Sequence, residues 1–124
     1  MKIHHLRNAT MVIESRNQFI LVDPMLGPKG KGMPFALVRQ KPKLNPVVNL
    51  PKGADDILKK VTHCLITHCQ KLHFDHLDKV GKQFLRKHNV PITCEFRDEK
   101  FLTRRKLIVN NTIKSWESID WLVG

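Results

Sequence analysis

The stretch Thr67-His68-Cys69-Gln70-Lys71-Leu72-His73-Phe74-Asp75-His76-Leu77-Asp78 decides how this chain is read. It holds three imidazoles, a thiol and two carboxylates. It follows the apolar run Cys64-Leu65-Ile66, which reads as the end of a buried strand. Ligand-type side chains crowded at a strand end are what a divalent metal needs. Imidazole suits zinc and iron, and carboxylates favour harder ions such as manganese. The mixture points to a hydrolytic centre in which one or two divalent metals activate water.

Within the stretch, His73 and His76 stand three apart with Asp75 between them. In a tight loop these side chains converge on one or two cations, the histidines offering neutral nitrogen and Asp75 an anionic oxygen. Asp75 is also the candidate catalytic group, orienting the water. His68 is a further candidate ligand, set against a strand-end histidine bonded to backbone. Cys69 reads either as a soft ligand or as a small buried side chain. Asp23 directly follows an apolar strand. It reads either as a group that orients a metal ligand or as an Asp-Pro turn. His63 belongs to the strand, and His4, His5 and His88 carry no spacing signal.

Working outward, Ile3 to Leu6 and Ala9 to Ile13 are short apolar segments broken at Arg7-Asn8. Arg16-Asn17 is a hairpin turn, and Phe19-Ile20-Leu21-Val22 is a buried strand ended by Asp23-Pro24. Two or three antiparallel strands are expected over 1–23. Six of the seven prolines then fall between Pro24 and Pro51, a long irregular loop that is either an active-site flap or an insert. Asp55 to Lys60 is a short helix with acids first and lysines last. Val61 to Thr67 is the next strand. From Leu77 to His88, apolar Leu77, Val80, Phe84 and Leu85 recur at helical spacing, and Asn89 and Pro91 stop the helix. Val90 to Cys94 is a strand, Phe101-Leu102 sits in a short charged helix or turn, and Leu107-Ile108-Val109 is a further strand. The tail to Gly124 ends on apolar residues, as though another strand were beginning.

The totals bound the rest. A chain of 124 residues with 41% hydrophobic content makes one domain with a modest core. No apolar run approaches the roughly 20 residues that span a membrane. The start, Met1-Lys2-Ile3-His4-His5, has no signal-peptide core. Three cysteines do not make a disulfide scaffold, so a reducing, cytoplasmic location is expected. The formal net charge of +11 favours anionic partners, either a small-molecule substrate or nucleic acid. The cations are scattered, however, and there are only six Phe, two Trp and no Tyr for stacking bases.

The segment Thr67-His68…His73-Phe74-Asp75-His76-Leu77-Asp78 resembles the His-x-His-x-Asp-His loop of the metallo-β-lactamase superfamily. The start, with Arg7-Asn8-Ala9-Thr10, Phe19 to Asp23-Pro24 and Asn45-Pro46, is similar to the L-ascorbate-6-phosphate lactonase-like branch. This resemblance covers most of residues 1–110. It implies an α+β fold, the N-terminal half of an αββα sandwich with a mixed β-sheet and flanking helices. It also implies His73 as a ligand of a first metal, zinc above manganese or iron, Asp75 and His76 as ligands of a second, and Asp23 as a structural residue beneath the site. Where the family has its first histidine this chain has Lys71, so either His68 takes that role across a three-residue insertion, the favoured reading because Thr67-His68 keeps the strand-end pair, or the first ligand is lost. The family's later histidine and bridging aspartate belong to the other half of its domain. A lone half sandwich is expected to self-associate as a homodimer through its uncovered sheet face. Two functions follow as expectations. One is a metal-dependent hydrolase acting on an ester, lactone or phosphoester, inactive if it needs the other half. The alternative is a basic, non-enzymatic module that binds nucleic acid or a protein.

Overall fold

The computed structural model describes residues 1–32, 44–70 and 75–119. Three strands open the chain: β1 (Lys2–Arg7), β2 (Thr10–Ser15) and β3 (Gln18–Val22). They pair antiparallel in sequence order. The turn between β2 and β3 has Arg16 at φ 46° and Asn17 at φ 63°. Two successive left-handed residues make the tight hairpin whose twist matches that of its strands. The strand pairing expected over 1–23 is therefore present in full.

From β3 onward the sheet turns parallel. α1 (Ala54–Leu58) leads to β4 (His63–Ile66) and α2 (Lys79–Lys87) to β5 (Ile92–Glu95). A 3-10 turn (Phe96–Asp98) and α3 (Glu99–Thr103) then lead to β6 (Val109–Ile113). The spatial order is β1-β2-β3-β4-β5-β6. Each parallel step needs a crossover, and each crossover carries one helix. Successive crossovers of one hand that advance in one direction put their helices on one face. The register agrees. Val12 pairs with Leu21, Leu21 with Cys64, Cys64 with Ile92, and Ile66 with Cys94. Leu85 of α2 and Leu102 of α3 pack on Cys64, Ile66, Ile92 and Cys94. Ala54 and Leu58 of α1 pack on Val12 and Leu21. The opposite face presents Ile13, Ile20 and His63 in one row and Met11, Val22, Leu65 and Thr93 in the next.

Three details differ from the sequence reading. The helix expected from Leu77 begins at Lys79, because the Asp78 side chain accepts from Gly81 N and caps it. Val80 is exposed, and Gly81 is the residue buried against the segment that follows β3. The strand expected over Leu107–Val109 is β6 from Val109 to Ile113. Leu107 is instead buried behind α3. Lys106 takes φ 58°, and Leu107 N donates to Leu102 O at 3.3 Å. A left-handed residue followed by an apolar plug is how many helices close. The expected strand at the tail falls largely on residues 120–124, outside those described, as does the 33–43 part of the proline-rich loop. No helix among the described residues is long and apolar enough to cross a membrane.

Gly81 permits a close approach. A Cβ there would collide with the carbonyl oxygen of Pro24. Alanine normally stabilises a helix interior by about 1 kcal/mol over glycine. Here Gly81→Ala is expected to lower stability by roughly 1–3 kcal/mol through overpacking. Urea denaturation checks the sign, and a midpoint unchanged or raised would show that the 24–27 segment does not press on α2.

Candidate metal centre

Parallel strands β3, β4 and β5 all finish at the same edge of the sheet, where open α/β sheets hold their ligands. The residues that follow them carry the chemistry. Asp23 leaves β3 at φ 45°, a left-handed turn that aspartate tolerates better than most residues. Its backbone N still donates to Leu65 O at 3.0 Å, extending the β3–β4 pairing. Thr10 Oγ1 donates to its carbonyl at 2.6 Å. The side chain, 2% exposed, is therefore swung across the end of β4.

There the Asp23 carboxylate is met by three donors. Thr67 N donates to Oδ1 at 2.8 Å and Thr67 Oγ1 to Oδ2 at 2.6 Å. His76 Nδ1 donates to Oδ2 at 2.9 Å. A buried carboxylate needs such donors to stay charged at tolerable cost. The contact also orients the imidazole, with Nδ1 turned to Asp23 and Nε2 to the other side of the ring. Asp75 Oδ2 lies 3.6 Å from that Nε2. The His68 ring stands edge-on to His76, with centroids 6.1 Å apart and planes at 81°.

The structure thus sets Asp75 and the His68 ring each beside His76, with Asp23 behind it. His73 and Lys71 lie outside the described residues. The donor types fit a divalent cation, and so does the carboxylate–histidine pair that presents Nε2 as a ligand. Among the described residues, no group of three His, Cys, Asp or Glu is close enough to complete a metal shell. Cys69 belongs to the core: it is 3% exposed, and its N donates to Asp98 Oδ2 at 3.0 Å. Burial, reinforced by Asp98, pushes its thiol well above the usual range. Burial likewise raises Cys64, and it pushes Cys94 up to about 12 with help from Asp98. His63 is half-buried on β4 with Nδ1 3.0 Å from Thr62 Oγ1.

Two residues that the sequence reading gave no role hold the site in place. Asp78 accepts from Leu26 N at 3.1 Å, Gly27 N at 2.6 Å and Gly81 N at 2.7 Å. It thereby ties the segment after β3 to the start of α2, two residues from His76. Arg7, read as a break between strands and as part of the Arg-Asn-Ala-Thr resemblance but given no contact, is 2% exposed. Its Nε and Nη2 donate to Met25 O at 2.8 and 2.6 Å, Nη2 also donates to Gly27 O, and Nη1 reaches Val48 O at 3.1 Å. Burial lowers its pKa, and the charge of Asp78 works in the opposite direction. The signal for both was weak, because their partners are backbone groups of a loop without periodicity.

Comparison with known proteins follows the same lines. No family model matches the sequence. The chain is 41% identical over 87 residues to the UPF0173 protein YddR of Bacillus subtilis (strain 168), a match covering 70% of this chain and 33% of that protein. It superposes on the crystal structure of a possible metal-dependent hydrolase from Veillonella parvula DSM 2008 with a TM-score of 0.79 and 30% identity. That match covers 97% of this chain and 44% of the other. An isothiocyanate hydrolase from Delia radicum gut bacteria matches with a TM-score of 0.76 and 30% identity, over 96% of this chain and 44% of that one. The chain therefore spans a third of the curated relative and less than half of each solved structure. The α+β fold is that of one half of a metallo-β-lactamase-like sandwich, and the neighbours are described as a possible metal-dependent hydrolase and an isothiocyanate hydrolase.

Two outcomes are expected. Asp78→Ala removes a helix cap and leaves two loop N–H groups unpaired, so it should cost about 2–4 kcal/mol in urea unfolding. A loss under half a unit would mean that the segment after β3 is held otherwise. The three buried thiols should resist iodoacetamide at pH 8 until denaturant is added. Rapid native labelling of Cys69 would return it to the ligand set.

Proposed function

We propose that this chain carries the metal-binding part of a hydrolase that directs water onto an ester, lactone or phosphoester. The observation that carries the reading is the hydrogen-bonded Asp23–His76 pair, which leaves His76 Nε2 on the side of Asp75, 3.6 Å away, with the His68 ring edge-on alongside. The hydrolase neighbours, one described as a possible metal-dependent hydrolase, support it. His68, His73, Asp75 and His76 would hold the ion, zinc by preference for imidazole donors. A divalent cation, when bound, supplies Lewis acidity that makes water a nucleophile near neutral pH. Asp23 fixes the His76 tautomer, and Thr67 locks Asp23. Asp75, half-buried 3.6 Å from Nε2, would accept a proton or orient the water. Among ester substrates, a lactone fits the ascorbate-phosphate lactonase-like branch that the first strands resemble.

Elemental analysis of metal-loaded protein, paired with a panel of lactones and phosphodiesters, tests this. His76→Ala and Asp75→Ala should each lose bound ion and any turnover. Asp23→Asn should weaken metal affinity by about 10–100-fold, as changes behind a ligating histidine do. A His76→Ala protein that keeps its ion at full stoichiometry would defeat the proposal.

A further inference from the structure

Beside His68 the surface opens into a cleft of about 580 Å³. His68 and Gln70, from the segment after β4, form one wall. Arg97, Lys100, Arg104 and Arg105, from the turn and helix after β5, form the other. The sequence explains the second wall. Leu102 is fully buried under α3, and Asp98 is buried with Oδ2 on Cys69 N. The acid of this turn thus faces the core, while the neighbouring cations stay outside.

Two of these cations are already oriented. The Arg105 guanidinium lies 3.4 Å from the centre of the Phe101 ring, and its Nη1 donates to Phe101 O at 2.9 Å. Arg97 Nε donates to Glu95 Oε1 at 2.9 Å. Among the described residues, Lys100, Arg104 and Arg105 have no carboxylate within ion-pair distance. Four cations thus line one concave surface that no described carboxylate lines, with Glu95 pairing with Arg97 and Glu99 facing the neighbouring surface of Lys100 and Arg104. A concave site lined by one sign of charge concentrates ions of the opposite sign. Guanidinium groups, planar and forked, suit phosphate or carboxylate oxygens. A nucleic-acid strand is the poorer occupant, because the aromatic face at hand, Phe101, is already covered by Arg105 and cannot stack a base.

We propose that this cleft binds an oxyanion group, phosphate or carboxylate, of a small substrate whose reacting bond lies on the His68 side. The inference rests on the hydrolase reading for the identity of the substrate, but not for the binding itself. It selects anionic substrates and assigns their recognition to Arg97, Lys100, Arg104 and Arg105.

The test titrates inorganic phosphate, and separately acetate, into the full chain at low salt with EDTA present, followed by amide NMR. One of the two anions should shift Gln70 and Arg104, and the tighter of them names the group. Lys100→Gln/Arg104→Gln should weaken that binding about tenfold or more, the loss of roughly one charge-assisted contact. Lys59→Gln, just beyond α1 and lining no part of the cleft, should not. Two results would overturn the proposal. One is that neither anion shifts these amides. The other is that a single-stranded RNA oligomer binds and is weakened equally by Lys59→Gln and by the double variant, which would mean diffuse charge. Chelator removes the metal from the measurement, so an absent ion in the preceding test leaves this one intact, and the reverse also holds.

Discussion

The buried carboxylate of Asp23 joins the ends of β3 and β4 to the loop before α2. Its three donors come from Thr67, twice, and from His76, groups far from it in sequence. A charge withdrawn from water is tolerable only when such donors are supplied. The same requirement dictates the geometry of the site. The left-handed backbone at Asp23 turns the side chain across β4, Thr67 fixes its rotation, and His76 is then held with Nδ1 on Asp23 and Nε2 3.6 Å from Asp75. The orientation of the imidazole follows from satisfying a buried carboxylate.

A second layer of polar contacts keeps this arrangement from drifting. Arg7 and Asp78 carry opposite charges and satisfy opposite backbone groups of one segment, Arg7 the carbonyls of Met25 and Gly27, Asp78 the N–H groups of Leu26 and Gly27. A loop of that kind cannot pair with a neighbouring strand, so its polar groups must find side chains. Both clamps sit next to site elements, Arg7 at the end of β1 and Asp78 at the start of α2. The helix-covered face of the sheet supplies the apolar burial, while the strand ends are left for polar chemistry.

Much of this was legible in the amino-acid order. Arg16-Asn17 signals its turn through the residue types that accept a positive φ, and Phe19 to Val22 signals β3 through an apolar run ended by Asp-Pro. His76 and Asp75 stand out by spacing, and Asp23 by its place after a strand. What was not legible depended on distant backbone. Arg7 looks like an interruption until the carbonyls of Met25, Gly27 and Val48 surround it. Val80 fits helical periodicity better than Gly81, yet closeness to Pro24 reverses their roles. Leu107 looks like a strand residue because apolarity alone cannot separate a strand from a helix-closing plug. The cationic cleft was visible only as scattered charge, because Arg97 and Arg105 meet His68 through the crossover after β5.

The matches to longer hydrolases set the scale, since this chain corresponds to 44% of each of the two solved structures. The site turns on a single imidazole, His76, with Nδ1 against Asp23 and Nε2 proposed as the donor to a divalent ion. Nitrogen-15 NMR of the histidine rings, recorded before and during zinc addition, measures this directly. A protonated Nδ1 and an unprotonated Nε2 are expected for His76, with the Nε2 resonance moving sharply as zinc is added. A proton on Nε2, or a His76 ring indifferent to zinc, would contradict it.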